Sequence, residues 1–157
     1  MNRRELAYIA GFLDGDGSLM LQLKPRKFVS FGFRVRTIIC FYQDKRNKQG
    51  LLWIRNKLKV GYLSKRDDDM FELRLEGHKR VKSILEKLYP FIIFKKEQCK
   101  LILKAIKLME KKLTPEKLLE ICKISDEISS INYATTRKKY NFDFVKKALV
   151  EKGLIPP

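Results

Sequence analysis

Two carboxylates separated by a single glycine stand near the start of the chain, in the segment Asp14-Gly15-Asp16-Gly17-Ser18. The apolar spacing before them predicts a helix that ends at the glycines, so both acids fall at its carboxyl end. Acidic side chains are unfavourable there because the negative end of the helix dipole and the last, unpaired carbonyl groups lie at the carboxyl end. A divalent cation removes this conflict, since Mg²⁺ prefers oxygen ligands from carboxylate, carbonyl and water.

Two other interpretations of this segment need no Mg²⁺. Asp and Gly also terminate helices in proteins without any metal, and position alone does not separate that interpretation from a metal site. The DxDxS spacing is also typical of the start of a calcium-binding loop. Such a loop needs glycine where Leu19 stands and a bidentate glutamate where Pro25 stands, so we set the calcium loop aside.

The charge of the chain points to a polyanionic partner. Among its 157 residues are 35 Lys and Arg against 18 Asp and Glu, which gives a formal charge of +17. Such a field attracts nucleic acid, where phosphate contacts supply most of the affinity, although an anionic membrane or an acidic protein is attracted too. A hydrophobic content of 45% predicts a folded chain, and the length predicts one domain over residues 1–157.

Residue counts argue against several classes of site and location. Three cysteines, Cys40, Cys99 and Cys122, lie far apart and form no CxxC pair, which argues against a disulfide framework and a zinc site. A single histidine, His78, argues against a His-rich metal centre or a Ser/His/Asp triad. We find no signal peptide and no run of ~20 apolar residues, so we expect a soluble intracellular protein that binds no membrane.

The elements that position the two carboxylates are predicted from the periodicity of apolar residues. An amphipathic helix carries Leu6, Ile9, Ala10 and Leu13, and period-two strands follow over 18–25 and 34–41. A helix near 50–58, strands near 61–66 and 71–75, and helices over 79–88, 98–109, 114–131 and 142–152 complete the chain. This order is typical of an α+β domain whose strands each show one apolar face and one polar, mostly basic face.

The nonapeptide Ile9-Ala10-Gly11-Phe12-Leu13-Asp14-Gly15-Asp16-Gly17 resembles the LAGLIDADG motif of homing endonucleases, with conservative substitutions. The resemblance covers most of the chain and is closest to the single-motif, homodimeric branch of the group I intron-encoded type. The further segments that carry it are Lys24-Pro25, Gln43, Val60-Gly61-Tyr62, Pro90-Phe91 with Lys95 and Gln98, and residues 132–138.

This resemblance implies a fold and an activity. The fold is an α-β-β-α-β-β-α core with extra C-terminal helices and a four-stranded antiparallel saddle that binds double-stranded DNA. The activity is site-specific double-strand cleavage across the minor groove of a long pseudo-palindromic site, with no small-molecule substrate. One motif gives one acidic cluster and a double-strand break needs two, so we expect a homodimer. Its two motif helices would pack through the small-residue face of Ala7, Gly11 and Gly15.

The resemblance also implies the catalytic and metal-binding residues. Asp16 and the carbonyl of Gly15 would bind Mg²⁺, with Mn²⁺ also supporting cleavage and Ca²⁺ binding without cleavage. Gln43 would position water, and Lys95 would support charge at the scissile phosphate. The family usually has a second basic residue a few positions after the Gln43 equivalent. Counting the family's usual spacing from Gln43 reaches Asn47, in a segment that is longer here than in close relatives. Lys48 or Arg46 could take the role instead, and we choose Lys48.

DNA-binding residues are expected on the polar strand faces and in two basic loops. Arg and Gln side chains in a major groove offer bidentate contacts to guanine and adenine, whereas loop lysines contact phosphates. The strand residues are Gln22, Lys24, Arg34, Arg36, Ile38, Cys40, Tyr62, Ser64, Arg66, Glu72 and Arg74, and the loop residues are Arg26, Lys27, Arg137, Lys138 and Lys139. Without the motif, the strand residues would be interpreted as a solvated sheet face. Trp53 and the Phe and Tyr residues are interpreted as core.

Two other kinds of function stay open. An RNA maturase or a non-cleaving DNA-binding regulator would use the same scaffold, although a regulator need not keep Asp16, Gln43 and Lys95 together. A general basic chromatin-type protein would bind with little preference for sequence. The compartment stays open between archaeal cytoplasm and a chloroplast or mitochondrion.

Overall fold

Helices and strands alternate along the first half of the chain, and the second half is helical. The computed structural model describes residues 1–132 and 138–157. The helices are α1 Arg3–Asp16, α2 Lys48–Leu58, α3 His78–Leu88, α4 Lys96–Met109, α5 Pro115–Ile131 and α6 Phe142–Glu151. The strands are β1 Gly17–Pro25, β2 Phe33–Asp44, β3 Tyr62–Lys65 and β4 Met70–Glu76, with 3₁₀ turns at Ser30–Gly32, Lys45–Asn47 and Tyr89–Phe91.

Helix α1 has well-defined ends. At its start the Asn2 side chain accepts the N–H of Glu5, and the Glu5 carboxylate accepts the N–H of Asn2, which is a capping box. At its end the N–H of Gly17 donates to the carbonyl of Leu13, and the chain passes directly into β1. The face that carries Ile9 and Leu13 is fully buried. The helix is therefore fixed in length and rotation, so the positions of the two acids near its end are fixed too.

The four strands form one sheet in the order β1-β2-β4-β3. Strand β4 pairs antiparallel with both β2 and β3, placing Gln43 opposite Phe71 and Tyr62 opposite Arg74. Apolar side chains at alternate positions of β1 are buried, as the period of two predicts. The predicted α+β fold with a four-stranded antiparallel sheet is confirmed.

The chain divides into two compact units, Met1–Leu19 with Thr37–Cys99, and Met20–Arg36 with Lys100–Pro157. In the first unit α1 packs against α3 and the turn Tyr89–Phe91, and α2 packs against β4. In the second unit α5 packs against α6. The single domain expected over residues 1–157 stays a prediction.

Element ends are where the structure differs from the sequence-based expectations. Helix α2 begins at Lys48 rather than near Gly50, because it continues from a 3₁₀ turn that the Asp44 side chain caps at the N–H of Arg46. Helix α4 begins at Lys96 rather than Gln98. The residue before it, Lys95, donates its backbone N–H to the carboxylate of Asp14 in α1. None of the helices in the described ranges is both long and apolar enough to cross a membrane.

A buried serine links α5 to the backbone of β1 within the second unit. Ser125 has no exposed surface, and its hydroxyl donates to the carbonyl of Leu21 at 2.5 Å. We expect Ser125→Ala to lower the free energy of unfolding by about 1–3 kcal/mol, because a buried carbonyl loses its partner. Urea unfolding measures this against Ser130→Ala, whose exposed hydroxyl donates to the carbonyl of Glu127 at 2.7 Å. Equal losses of unfolding free energy in the two variants would contradict a stabilising role for the hydrogen bond between Ser125 and Leu21.

Candidate active site and nucleic-acid interface

The two carboxylates at the end of α1 have different surroundings. Asp14 is 8% exposed, and both of its oxygens accept backbone N–H groups. Its Oδ2 accepts from Ile93 at 2.6 Å and Phe94 at 3.2 Å, and its Oδ1 accepts from Lys95 at 3.0 Å. Asp16, the last residue of the helix, is exposed. Of the two acids, Asp16 therefore presents its carboxylate to ligands outside the chain.

Asp16 and Gln43 line one surface pocket of about 470 Å³. Strand β2 delivers Gln43 to this pocket near its own end, next to Asp44. The Oε1 atom of Gln43 accepts the N–H of Asp44 at 2.9 Å. The amide nitrogen of Gln43 is therefore the end of this side chain that can donate to water or phosphate.

The Lys95 ammonium lies at the carboxyl end of α1. Its Nζ donates to the backbone carbonyl of Asp14, two residues before Asp16. A cation is favourable at this position because it opposes the negative end of the helix dipole. The structure thus brings Lys95 to the helix end that carries Asp16, although the two residues are far apart in the sequence.

Lys48, the residue chosen for the second basic group, is the first residue of α2 and contacts the cross-strand partner of Gln43. Its Nζ lies 4.8 Å from the centre of the Phe71 ring, and Phe71 is the cross-strand partner of Gln43. Arg46 is engaged by Asp44, with 2.8 Å between Nε and Oδ1. Asn47 ends the 3₁₀ turn before α2.

The oxygen donors at the end of α1 fit Mg²⁺. The carbonyl of Leu13 accepts the N–H of Gly17, and that of Asp14 accepts the Lys95 ammonium. The next hard donors along the chain are the Gly15 carbonyl and the Asp16 carboxylate. Proteins commonly hold Mg²⁺ through one or two carboxylates together with water and substrate phosphates, so this donor set suits it. In residues 1–132 and 138–157, three or more His, Cys, Asp or Glu side chains nowhere gather as a metal cluster.

The polar face of β4 in the first unit is held by ion pairs. Arg74 donates from Nε to Glu72 at 2.5 Å and from Nη1 to Glu76 at 3.3 Å. The hydrogen bond to Glu72 is the main reason that the pKa of Arg74 is raised. Glu72, which was expected to contact DNA, is itself buried, because its carboxylate is paired with Arg74. Arg74 is therefore oriented by two carboxylates before any ligand binds.

Ile38 and Cys40 were expected to contact DNA, but both are fully buried in this structure. They share a sheet face with Arg74, the cross-strand partner of Cys40. Burial raises the pKa of the Cys40 thiol to about 11, with a further contribution from the charge of Glu72. The period of two placed these residues on the polar face correctly, but long neighbouring side chains cover the short thiol.

The remaining strand residues predicted in the first unit are accessible. Tyr62 is 51% exposed, Ser64 is partly exposed and Arg66 is exposed. The Arg66 guanidinium pairs with Asp68 at 3.1 Å and lies 5.4 Å from the centre of the Tyr42 ring. These contacts hold Arg66 near the sheet surface.

In the second unit the predicted DNA-binding side chains of β1, β2 and their loop reach solvent. Lys24, Arg26, Lys27 and Arg34 are exposed, and Gln22 and Arg36 are partly exposed. Strand alternation therefore orients the strand residues Gln22, Lys24, Arg34 and Arg36 as expected.

Phe28 is a residue that the sequence interpretation missed. We expected the phenylalanines in the core, but Phe28 is fully exposed in the loop between β1 and β2. Its φ of 62° and the φ of 65° at Phe31 lie in the left-handed region, which non-glycine residues seldom adopt. The N–H of Arg26 donates to the carbonyl of Gly32 at 2.9 Å and closes the loop. The basic residues beside Phe28 were the available signal, because a core segment is seldom so charged.

The second predicted basic loop is only partly described. Arg137 lies outside the described residues. The Lys138 ammonium contacts Asp126 at 2.9 Å and Ser125 at 2.5 Å. Lys139 is exposed. Lys138 therefore has acceptors within its own unit, which the sequence interpretation did not anticipate.

The small-residue face of α1 is open. Ala7, Gly11 and Gly15 are all exposed, and a methyl group added at either glycine would meet no atom of the described residues within 4 Å. Tyr8 on the same side of the helix is 61% exposed and makes an edge contact with Trp53 at 5.5 Å between ring centres. Trp53 is itself partly exposed, in contrast to the expectation that it lies in the core.

Comparison with known proteins identifies relatives over most of the chain. A family model described as LAGLIDADG endonuclease matches residues 9–106. The DNA endonuclease I-CreI of Chlamydomonas reinhardtii is 33% identical over 138 residues, 87% of this chain and 84% of that protein. The DNA endonuclease I-CvuI of Chlorella vulgaris is 32% identical over 124 residues, 79% of this chain and 77% of that protein.

Solved structures agree with this relationship. A crystal structure of the homing endonuclease I-CvuI with the I-CreI target and 2 mM Mg, in which the DNA is not cleaved, matches with a TM-score of 0.91. The identity is 28%, and the match covers 98% of this chain and 99% of that chain. A second I-CvuI structure, with its own target and 2 mM Ca, matches equally well.

The burial of Cys40 can be tested by thiol chemistry. We expect Glu72→Ala to raise the rate of Cys40 alkylation by iodoacetamide at pH 8 by roughly tenfold or more. The thiolate is the reactive form, and this change uncovers the thiol and removes a negative charge that raises its pKa. Cys99 and Cys122 are internal controls whose rates should not change, since burial raises the pKa of each to about 12. Peptide mass spectrometry gives the three rates. Cys40 reacting in the folded wild type as fast as in urea would contradict the placement.

Proposed function

The chain belongs to the LAGLIDADG endonuclease family, and from this we propose that it is a site-specific DNA endonuclease that cleaves both strands as a homodimer. The observation that carries the proposal is the shared pocket of Asp16 and Gln43 at the ends of α1 and β2. The matched region, residues 9–106, contains both residues together with Lys48 and Lys95. A formal charge of +17 supports a polyanionic substrate.

We further propose that cleavage depends on a divalent metal, with Mg²⁺ the natural ion. Asp16 and the Gly15 carbonyl would hold it, because both are hard oxygen donors at the open end of α1. When bound, the ion supplies Lewis acidity, which activates water and stabilises charge on a phosphate. Mn²⁺ would also support cleavage, and Ca²⁺ would bind without cleavage.

Three side chains would act on the substrate directly. Gln43, whose Oε1 is fixed by the N–H of Asp44, would donate its amide N–H to the attacking water or a phosphate oxygen. Lys95 would place positive charge beside the scissile phosphate, which is favourable as negative charge builds up there. Lys48 would provide the second basic group, since its ammonium lies over Phe71 opposite Gln43.

Sequence recognition would come from the exposed strand and loop residues. In the second unit these are Gln22, Lys24, Arg26, Lys27, Arg34 and Arg36, and in the first unit Tyr62, Ser64, Arg66 and Arg74. Arginine in a major groove binds guanine through two hydrogen bonds, so Arg34 is the clearest candidate for base reading. Phe28 would add an apolar contact from the loop.

The homodimer would form through the open face of α1. Each chain offers one Asp16, and cleavage of both strands needs two such sites. Gly11 and Gly15 allow a second helix to come close, because no atom in residues 1–132 or 138–157 occupies the space above them.

Asp16→Asn should abolish cutting and leave binding in Ca²⁺ largely unchanged, because the DNA-contacting face is untouched. Cleavage of a randomised site library with Mg²⁺ is the measurement, with Asp143→Asn, an exposed acid on α6, as the matched control. We expect wild type and control to recover one long, roughly palindromic site cut on both strands. Wild type that enriches one sequence by binding without cutting would support a regulator, and no enrichment would direct attention to RNA.

Arg34→Ala should weaken binding and relax the preference at a particular base pair by roughly 1–3 kcal/mol. The reason is that a bidentate base contact is lost while phosphate contacts stay. Binding to a set of single-base target variants gives the answer, with Arg55→Ala on α2 as the control. An equal loss on every target would make Arg34 a phosphate contact instead.

A further inference from the structure

Asp14 contacts the segment before α4 with both carboxylate oxygens. They accept the N–H groups of Ile93, Phe94 and Lys95 at 2.6, 3.2 and 3.0 Å. The side chains of Ile93 and Phe94 are 75% and 82% exposed, so packing contributes little to fixing this stretch. The Asp14 carboxylate therefore fixes the backbone of residues 93–95, which lies between the buried residues Ile92 and Cys99.

Lys95 also contacts Asp14 through its other end. Its backbone N–H donates to the Asp14 carboxylate, and its ammonium donates to the Asp14 carbonyl. A lysine side chain is a flexible chain of four carbons, and fixing both of its ends restricts where the charge can lie. Both fixed points belong to one residue, which is two positions from Asp16 on the same helix.

This arrangement also explains why the motif has two acids with one exposed. An exposed carboxylate at the helix end can take a cation, whereas three N–H groups already occupy the oxygens of Asp14. A metal at Asp14 would have to displace these hydrogen bonds. The carboxylate of Asp14 thus accepts hydrogen bonds from the chain itself, and the carboxylate of Asp16 is available to a ligand.

We propose that Asp14 is a positioning residue that holds Lys95 at a set distance from Asp16. The proposal rests on the function given above, in which Lys95 acts at the scissile phosphate. Because one helix carries both Asp14 and Asp16, a shift of α1 moves the lysine and the acid together. Misplacement of a catalytic group by about 1 Å can slow a reaction by roughly a hundredfold, so such coupling has a measurable effect.

The test is a double-mutant cycle of single-turnover cleavage with Mg²⁺ at saturating protein. The variants are Asp14→Asn, Lys95→Met and the double variant. We expect each single change to slow cleavage by about tenfold or more, and the double variant to be no slower than Lys95→Met, because Asp14 acts through Lys95. Binding in Ca²⁺ should change little in all three.

Asp126→Asn serves as the matched control for a purely structural effect. Asp126 also accepts a backbone N–H, from Phe142 at 2.8 Å, and a lysine ammonium, but in the second unit. We expect it to lower the unfolding temperature about as Asp14→Asn does, while cleavage by the bound protein stays at the wild-type rate. Should Asp14→Asn not fold, Asp14→Ser keeps an acceptor oxygen and enters the same cycle.

The outcomes separate this proposal from the one it rests on. Wild type that cuts no DNA overturns both. Lys95→Met cutting at the wild-type rate overturns the role of Lys95, and the positioning role with it. If wild type cuts and Lys95→Met is slow, but the two effects multiply in the double variant, only the positioning role of Asp14 is overturned.

Discussion

The hydrogen bonds of the Asp14 carboxylate are the interaction on which the first unit depends. They join α1 to backbone N–H groups 79 to 81 positions later in the chain. A buried carboxylate is tolerated only when its oxygens are paired, and three donors meet that need without a counterion of opposite charge. Helix α4 begins at Lys96, directly after these hydrogen bonds, and the Lys95 ammonium donates to the Asp14 carbonyl at the end of α1. Helix packing, helix initiation and the placement of the Lys95 ammonium thus share one residue, Asp14.

Apolar periodicity predicted the helices and strands of the described residues, but it does not distinguish which of the two acids, Asp14 or Asp16, faces outward. Only the family resemblance selected Asp16. Local periodicity predicts elements because burial repeats along them, as in β1 and in the capped start of α5 at Thr114. The difference between Asp14 and Asp16 comes from a segment far away in the chain. The covering of Cys40 likewise depends on Arg74 and Glu72 from another strand. Such contacts leave no local signature, so no reading of neighbouring residues could have found them.

Positive charge is plentiful in this chain, yet where the sheet is polar it is partly neutralised. On β4 Arg74 lies between two glutamates, and Arg66 in the turn after β3 pairs with Asp68. Attraction to phosphates and discrimination between bases place different demands on a cation. The first needs net charge in the right region, and the second needs a guanidinium held in one orientation. The ion pairs on β4 reduce the net charge of this face and hold the Arg74 guanidinium in one orientation.

The loop between β1 and β2 is closed on itself. The N–H of Arg26 donates to the carbonyl of Gly32, and the Lys152 ammonium donates to the carbonyl of Phe31 at 3.3 Å. These bonds to the loop backbone hold its shape, while the Phe28 side chain is fully exposed among the described residues. Changes of side chain there cost the fold little. Residue 28 can therefore be replaced without disturbing the helices and strands around it. The loop is thus a scaffold whose shape is independent of the side chain that it presents to solvent.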